Sequence, residues 1–168
     1  RPERVAGLVL IGGFAQGAHV RAEPKHIELV QALDAMGRLG WDDDYPSIRD
    51  HFARVLAPDA APEDQAVYAD YMRASISAEN FGRFREASGR IDATAALPGV
   101  ACPTLVLHGT GDRLQPVEQG RRLAAGIRDS RFLALDTRNH VMPAYDPAWP
   151  VALAEIDAFL ASLDGDPP

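Results

Sequence analysis

Leu105-Val106-Leu107-His108-Gly109-Thr110-Gly111-Asp112-Arg113-Leu114-Gln115-Pro116 combines an apolar run with a glycine-framed acid. The run starts at Pro103-Thr104 and shows no polar alternation. That is the pattern of a strand buried on both faces of a parallel sheet. Asp112 then falls on the loop leaving the strand's carboxyl end, where open parallel sheets place their sites. Two other runs have the same character: Val5-Ala6-Gly7-Leu8-Val9-Leu10-Ile11, ended by Gly12-Gly13, and a weaker one from Arg131 to Asp136. The first is likewise expected to be buried on both faces. Three parallel strands so far apart need crossover connections. Pro116 to Ile127, apolar at Val117, Leu123, Ala124 and Ile127, supplies the helix of a βαβ unit. After the third strand, Asp146-Pro147 marks a helix start, followed by Trp149, Leu153, Ile156, Phe159, Leu160 and Leu163 at helical spacing. This helix should pack on the sheet, so the expected class is α/β with a parallel sheet.

Between the first two strands the periodicity changes. Apolar residues recur at three and four, as in Ile27/Val30/Leu33, Ile48/Phe52/Val55/Leu56, Val67/Tyr68/Tyr71/Met72 and Phe81/Phe84/Ile91. Prolines 24, 46, 58 and 62 and a Ser77 cap divide this segment into about four short helices. The expected organisation is one domain: sheet core over residues 1–18 and 99–163, a helical insert from about 19 to 98, and a frayed tail over 164–168. Most aromatic residues fall in the insert. Trp41, Tyr45, Phe52, Tyr68, Tyr71, Phe81 and Phe84 suit its core, and the insert could build an apolar concavity of its own.

Composition narrows the function classes. The 168 residues are 46% apolar and 24% charged, as in a globular protein. Seventeen basic against 24 acidic residues give a net charge of −7, with Lys25 the single lysine, which argues against nucleic-acid binding. No apolar run is long enough for a membrane span, and Arg1-Pro2-Glu3-Arg4 lacks the apolar core of a signal peptide, so a cytoplasmic location is expected. The one cysteine, Cys102, excludes an internal disulfide and reads as a small buried residue. Asp42-Asp43-Asp44 lacks the glycine and terminal glutamate of a hand-type calcium loop and reads as a solvated loop. No cofactor or metal is implied. A site of Asp112, His108 and His140 has no ligand-spaced motif behind it, and His108 reads as structural.

The chemistry lies in two loops. Asp136-Thr137-Arg138-Asn139-His140 leaves the third strand as the Asp112 loop leaves the second, and His140 follows Asp112 by 28 positions, room for a helix, a strand and a turn. Loops from neighbouring parallel strands emerge on one edge, so Asp112 can orient His140. An Asp holding a His is the base half of a Ser-His-Asp triad: the carboxylate fixes the tautomer and stabilises the imidazolium.

Strand-Gly109-Thr110-Gly111-Asp112-x-x-x-Pro116, a helix, then a strand ending in Asn139-His140 resembles the last third of the α/β-hydrolase fold. The opening Pro2-Glu3-Arg4-Val5-Ala6-Gly7-Leu8-Val9-Leu10-Ile11-Gly12-Gly13 resembles that fold's sixth strand, after which the family carries its helical cap. The resemblance covers essentially the whole chain. It implies Asp112 as triad acid, His140 as triad base and residues 19–98 as cap. Thr137 to His140 and Gly120-Arg121-Arg122-Leu123-Ala124 are further similar to hydrolase-like domains fused to bacterial transcription regulators and nucleotide cyclases.

The chain departs from the family at the nucleophile. None of Ser47, Ser75, Ser77, Ser88, Ser130 and Ser162 has the Gly-x-Ser-x-Gly elbow, and no His-Gly loop offers an oxyanion donor. The expectation is a carboxyl-terminal half whose nucleophile and preceding strands have been cut away, inactive alone, serving an ester, amide or similar acyl substrate in the intact protein. The alternative is a small-molecule sensor kept on the hydrolase scaffold. Self-association, or pairing with the missing half, is expected through residues 5–11.

Overall fold

The computed structural model describes residues 1–41 and 46–163. The acidic run 42–44, Tyr45 and the tail 164–168 lie outside the described residues. The chain divides into two compact units, Arg1–Ala15 with Ala93–Pro168, and Gln16–Asp92.

In the first unit β1 (Leu8–Ile11), β2 (Thr104–Gly109) and β3 (Ser130–Leu135) form one sheet in the order β1-β2-β3. Both pairings are parallel, with Leu8 opposite Thr104 and Thr104 opposite Ser130. Every residue of β2 is buried, because it has a strand on each side and a helix on each face. Its side chains alternate. Leu105 and Leu107 join Val9, Leu133 and Leu135 against Ala148, Ala152 and Phe159, while Val106 joins Leu10 and Phe132 against Leu97, Leu123 and Ile127. The expectation that the first strand is buried on both faces fails. β1 is only four residues long and half-buried, and Val5 and Ile11 are exposed, because among the described residues β1 pairs on one side only.

The second unit holds α1 (Ala18–Arg21), α2 (Pro24–Leu39), α3 (Pro46–Leu56), α4 (Pro62–Ser75) and α5 (Ala78–Gly89); the first unit adds α6 (Val117–Gly126) and α7 (Ala148–Leu163). Three of these helices begin on a proline, whose fixed φ and missing N–H suit the first turn, and α5 begins where the Ser77 side chain accepts the Asn80 amide. The four expected helices are present, preceded by the one-turn α1. Among the described residues no helix is long and apolar enough to cross a membrane.

Trp41, Phe52 and Phe81 form the core of the second unit. Trp41 stacks on Phe81 with ring centres 3.8 Å apart, Phe52 meets Phe81 edge-on at 5.3 Å, and the Trp41 indole donates to the Ile76 carbonyl at 2.8 Å. Such ring pairs stabilise beyond their burial, by about 1 kcal/mol each. Tyr71 and Phe84 instead remain 70% and 59% exposed. A cleft of about 430 Å³ lies within this unit. His19, Asp34, Arg38, Glu79, Arg83, Glu86 and Arg90 are among its lining residues, and no aromatic ring other than the imidazole lines it. Of the insert's rings, Trp41, Phe52 and Phe81 are taken up in its core.

Candidate active site

Asp112 reaches its position because the loops after β2 and β3 lie against each other. The Thr110 amide donates to Leu135 O at 2.8 Å and the Gly111 amide to Thr137 O at 3.0 Å. Glycine is needed at 111, where a Cβ would lie 2.6 Å from the Arg138 side chain. The chain then turns around the carboxylate, whose Oδ1 accepts the amides of Leu114 at 2.8 Å and Gln115 at 3.0 Å. Its Oδ2 accepts from His140 Nδ1 at 2.7 Å. The Asp112 side chain is 1% exposed and the His140 ring 21%.

His140 is fixed from its own loop by a buried cluster. Asp146 Oδ2 accepts from Thr137 Oγ1 at 2.6 Å and from Asn139 Nδ2 at 2.8 Å, and its Oδ1 accepts the Ala148 amide at 2.8 Å. Thr137 Oγ1 in turn accepts the Asn139 amide at 3.1 Å. Burial pushes the Asp146 pKa up, but the hydrogen bonds from Thr137, Asn139 and Ala148 outweigh it, and the carboxyl is held below its ordinary value. In the sequence Asp146 reads only as a helix start; the signal for its hold on the His140 loop is a Thr-x-Asn ahead of a capping Asp. On the other side the ring packs on the end of β1. Gly12 has φ +61°, and a Cβ on it would lie 2.8 Å from His140 Cε1, so both backbone and space call for glycine.

The pairing sets the tautomer. A carboxylate oxygen only accepts, so Nδ1 of His140 carries a proton, and in the neutral ring Nε2 carries the lone pair. Nε2 has no hydrogen-bond partner among the described residues. Among the described residues no serine hydroxyl is hydrogen-bonded to it: those of Ser75, Ser88, Ser130 and Ser162 donate to backbone carbonyls, and Ser77 caps its helix. His108, fully buried at the end of β2, directs Nε2 at the Gln115 carbonyl at 2.8 Å. It lies 3.7 Å from Asp112 Oδ2, so His108, Asp112 and His140 do come together, with only Asp112 and His140 hydrogen-bonded directly to each other. Among the described residues no three His, Cys, Asp or Glu side chains are placed to hold a metal ion. Cys102 is half-buried.

No family model matches the chain. Its curated relatives are hydrolases. A 2-hydroxy-6-oxononadienedioate/2-hydroxy-6-oxononatrienedioate hydrolase of Klebsiella pneumoniae is 30% identical over 139 residues, 78% of this chain and 46% of that protein. One from a Pseudomonas species is 28% identical over 142 residues, 83% and 49% of the two. The chain thus spans about half the length of the curated relatives it matches. Of the solved structures, an esterase from Exiguobacterium antarcticum superposes with a TM-score of 0.71 at 20% identity, over 96% of this chain and 58% of that one. MGS-M2, an alpha/beta hydrolase enzyme from a Medee basin deep-sea metagenome library, gives 0.63 at 13%, over 95% and 56%. Likeness at such identities is likeness of fold, and it agrees with the strand order and crossovers described above: the chain has the fold of the carboxyl-terminal portion of an α/β-hydrolase, its parallel sheet interrupted by a helical insert.

Proposed function

We propose that this chain supplies the acid and base of a hydrolase acting on an ester, amide or similar acyl compound, with the nucleophile contributed from outside the 168 residues. The observation that carries it is the 2.7 Å contact from His140 Nδ1 to a buried Asp112 oxygen, which leaves Nε2 as a lone-pair base. In that role His140 takes the proton of a hydroxyl as the hydroxyl attacks the acyl carbon, then returns it to the leaving group, while Asp112 holds the imidazolium. The relatives' named substrates are oxo-dioates, so that compound class belongs in a first screen beside activated esters. The sensor alternative draws on the same scaffold, but the relatives named above are hydrolases. Sequence upstream in the gene separates the two: a Gly-x-Ser-x-Gly elbow belongs to the hydrolase.

The 168-residue chain alone is expected to show no turnover of activated esters, since among the described residues no hydroxyl is hydrogen-bonded to Nε2. Turnover that survives purification and disappears in His140→Ala would overturn the division of labour proposed here.

The edge of β1 is proposed as a pairing surface. Leu8 to Ile11 hydrogen-bond to β2 on one side only and carry no charge, whereas the opposite edge strand presents Arg131, paired with Glu155 at 3.0 Å. Uncharged edges are templates for another strand. The chain on its own is expected to form a dimer or larger assembly through residues 5–11, and light scattering that finds a monomer at high concentration contradicts this.

A further inference from the structure

We propose that His108 is a positioning residue for the Asp112–His140 pair, holding the turn that aims the Asp112 carboxylate. The inference rests on the acid–base reading of that pair and deepens it.

His108 is the penultimate residue of β2 and fully buried. Its Nε2 lies 2.8 Å from the Gln115 carbonyl oxygen. A carbonyl only accepts, so the proton of His108 is on Nε2. Nδ1 is then a bare acceptor, and it is buried without a hydrogen-bond partner. A phenylalanine or leucine would fill such a space with no orphaned nitrogen, and unpaired buried polar atoms are costly. What the imidazole adds over an apolar side chain is the Nε2–H bond to Gln115.

That bond acts on the site through a short chain of contacts. Gln115 offers its carbonyl to His108 and its amide to Asp112 Oδ1, at 3.0 Å, beside the Leu114 amide at 2.8 Å. With the carbonyl anchored to β2, the two amides are held where they fix Oδ1. Fixing Oδ1 aims Oδ2 at His140 Nδ1. The His108 donor edge also sits 3.7 Å from that same Oδ2, placing the positive end of an N–H dipole beside the oxygen that His140 uses.

The facing helix makes room for the ring. Gly120 lies inside α6, where glycine weakens a helix. A Cβ there would come within 2.6 Å of His108 Nδ1 and 2.9 Å of Cγ. Gly120→Ala therefore displaces the imidazole without removing it, and gives an independent handle on the same contact.

The test is NMR of the protein labelled with 15N-histidine, reading the tautomer of each ring and the exchange of the His140 Nδ1 proton with water. In the wild type His108 is expected to be protonated on Nε2 and His140 on Nδ1. His108→Leu should speed exchange of the His140 proton by about tenfold or more, as the turn opens more readily. His108→Gln, whose side-chain amide can donate to the Gln115 carbonyl, should recover most of the protection, and Gly120→Ala should lose it with the histidine present. Melting temperatures are recorded alongside, because a purely structural role would lower them and leave exchange at His140 unchanged. A folded His108→Leu protein whose His140 proton exchanges as in the wild type overturns the proposal. Should that variant not fold, unchanged exchange in a folded Gly120→Ala protein with its ring displaced overturns it equally. A wild-type His140 protonated on Nε2 instead refutes the acid–base reading itself.

Discussion

In the full-length protein, His140→Ala is expected to lower kcat on the order of 10³-fold or more, because the members of a nucleophile–base–acid set act as a unit. Asp112→Asn should approach the same loss by another route. The amide keeps the size and the Oδ1-side bonds from Leu114 and Gln115, but an NH2 facing Nδ1 turns that nitrogen into an acceptor. The proton moves to Nε2, where the base needs its lone pair. Steady-state hydrolysis of an activated ester measures both, with circular dichroism to show that the fold is retained. A loss under about tenfold in a folded His140→Ala protein favours the sensor alternative, since the residual rate would then owe nothing to the imidazole.

The largest stability effect is expected at Asp146. Removing its carboxylate in Asp146→Ala leaves Thr137 Oγ1, Asn139 Nδ2 and the Ala148 amide buried with donors to place and nowhere to place them. Breaking such a network costs about 3 kcal/mol, or roughly 10 °C in melting temperature for a chain of this size. The pH dependence has a definite sign. The folded pKa lies below the ordinary value of 3.8, so the unfolded chain takes up the proton first as pH falls. The ionised carboxylate stabilises the fold in full above the ordinary value, and this contribution is lost as pH drops through the depressed folded value. The stability gap between wild type and Asp146→Asn should therefore be widest near neutrality and narrow below about pH 4. Urea unfolding at several pH values measures it, and a gap constant across that window contradicts the assignment.

How much of this was legible in the sequence depended on whether a signal was local. β2 and its Gly-x-Gly-Asp loop could be read almost residue by residue, because continuous apolarity, loop glycines and an acid are contiguous. The approach of Asp112 to His140 followed from parallel topology alone. β1 was read too long and too buried, because composition reports what a strand tolerates and not how many neighbours it has. In the insert, helical spacing located the helices but could not separate Phe81, stacked on Trp41, from Phe84, left in solvent. That choice is made between helices. The Asp146 cluster and the role of His108 stayed hidden for a related reason: each joins side chains to partners seven or more residues away, and no local periodicity marks such bonds.

The way the chain leaves and re-enters the sheet unit has a consequence for how such proteins diversify. Gln16 bridges to Asp92 within the insert, the Gly17 amide donates to the Ile91 carbonyl, and the Ala93 amide donates to the Ala15 carbonyl in the sheet unit. Departure and return therefore run side by side, so the segment between them is a closed loop, and lengthening a closed loop costs entropy only logarithmically. Helices can be gained, lost or exchanged there while the register of β1 on β2 and the distance from Asp112 to His140 stay as they are. The segment from Gln16 to Asp92 is thus free to change in sequence and length without redrawing the strand ends that carry Asp112 and His140.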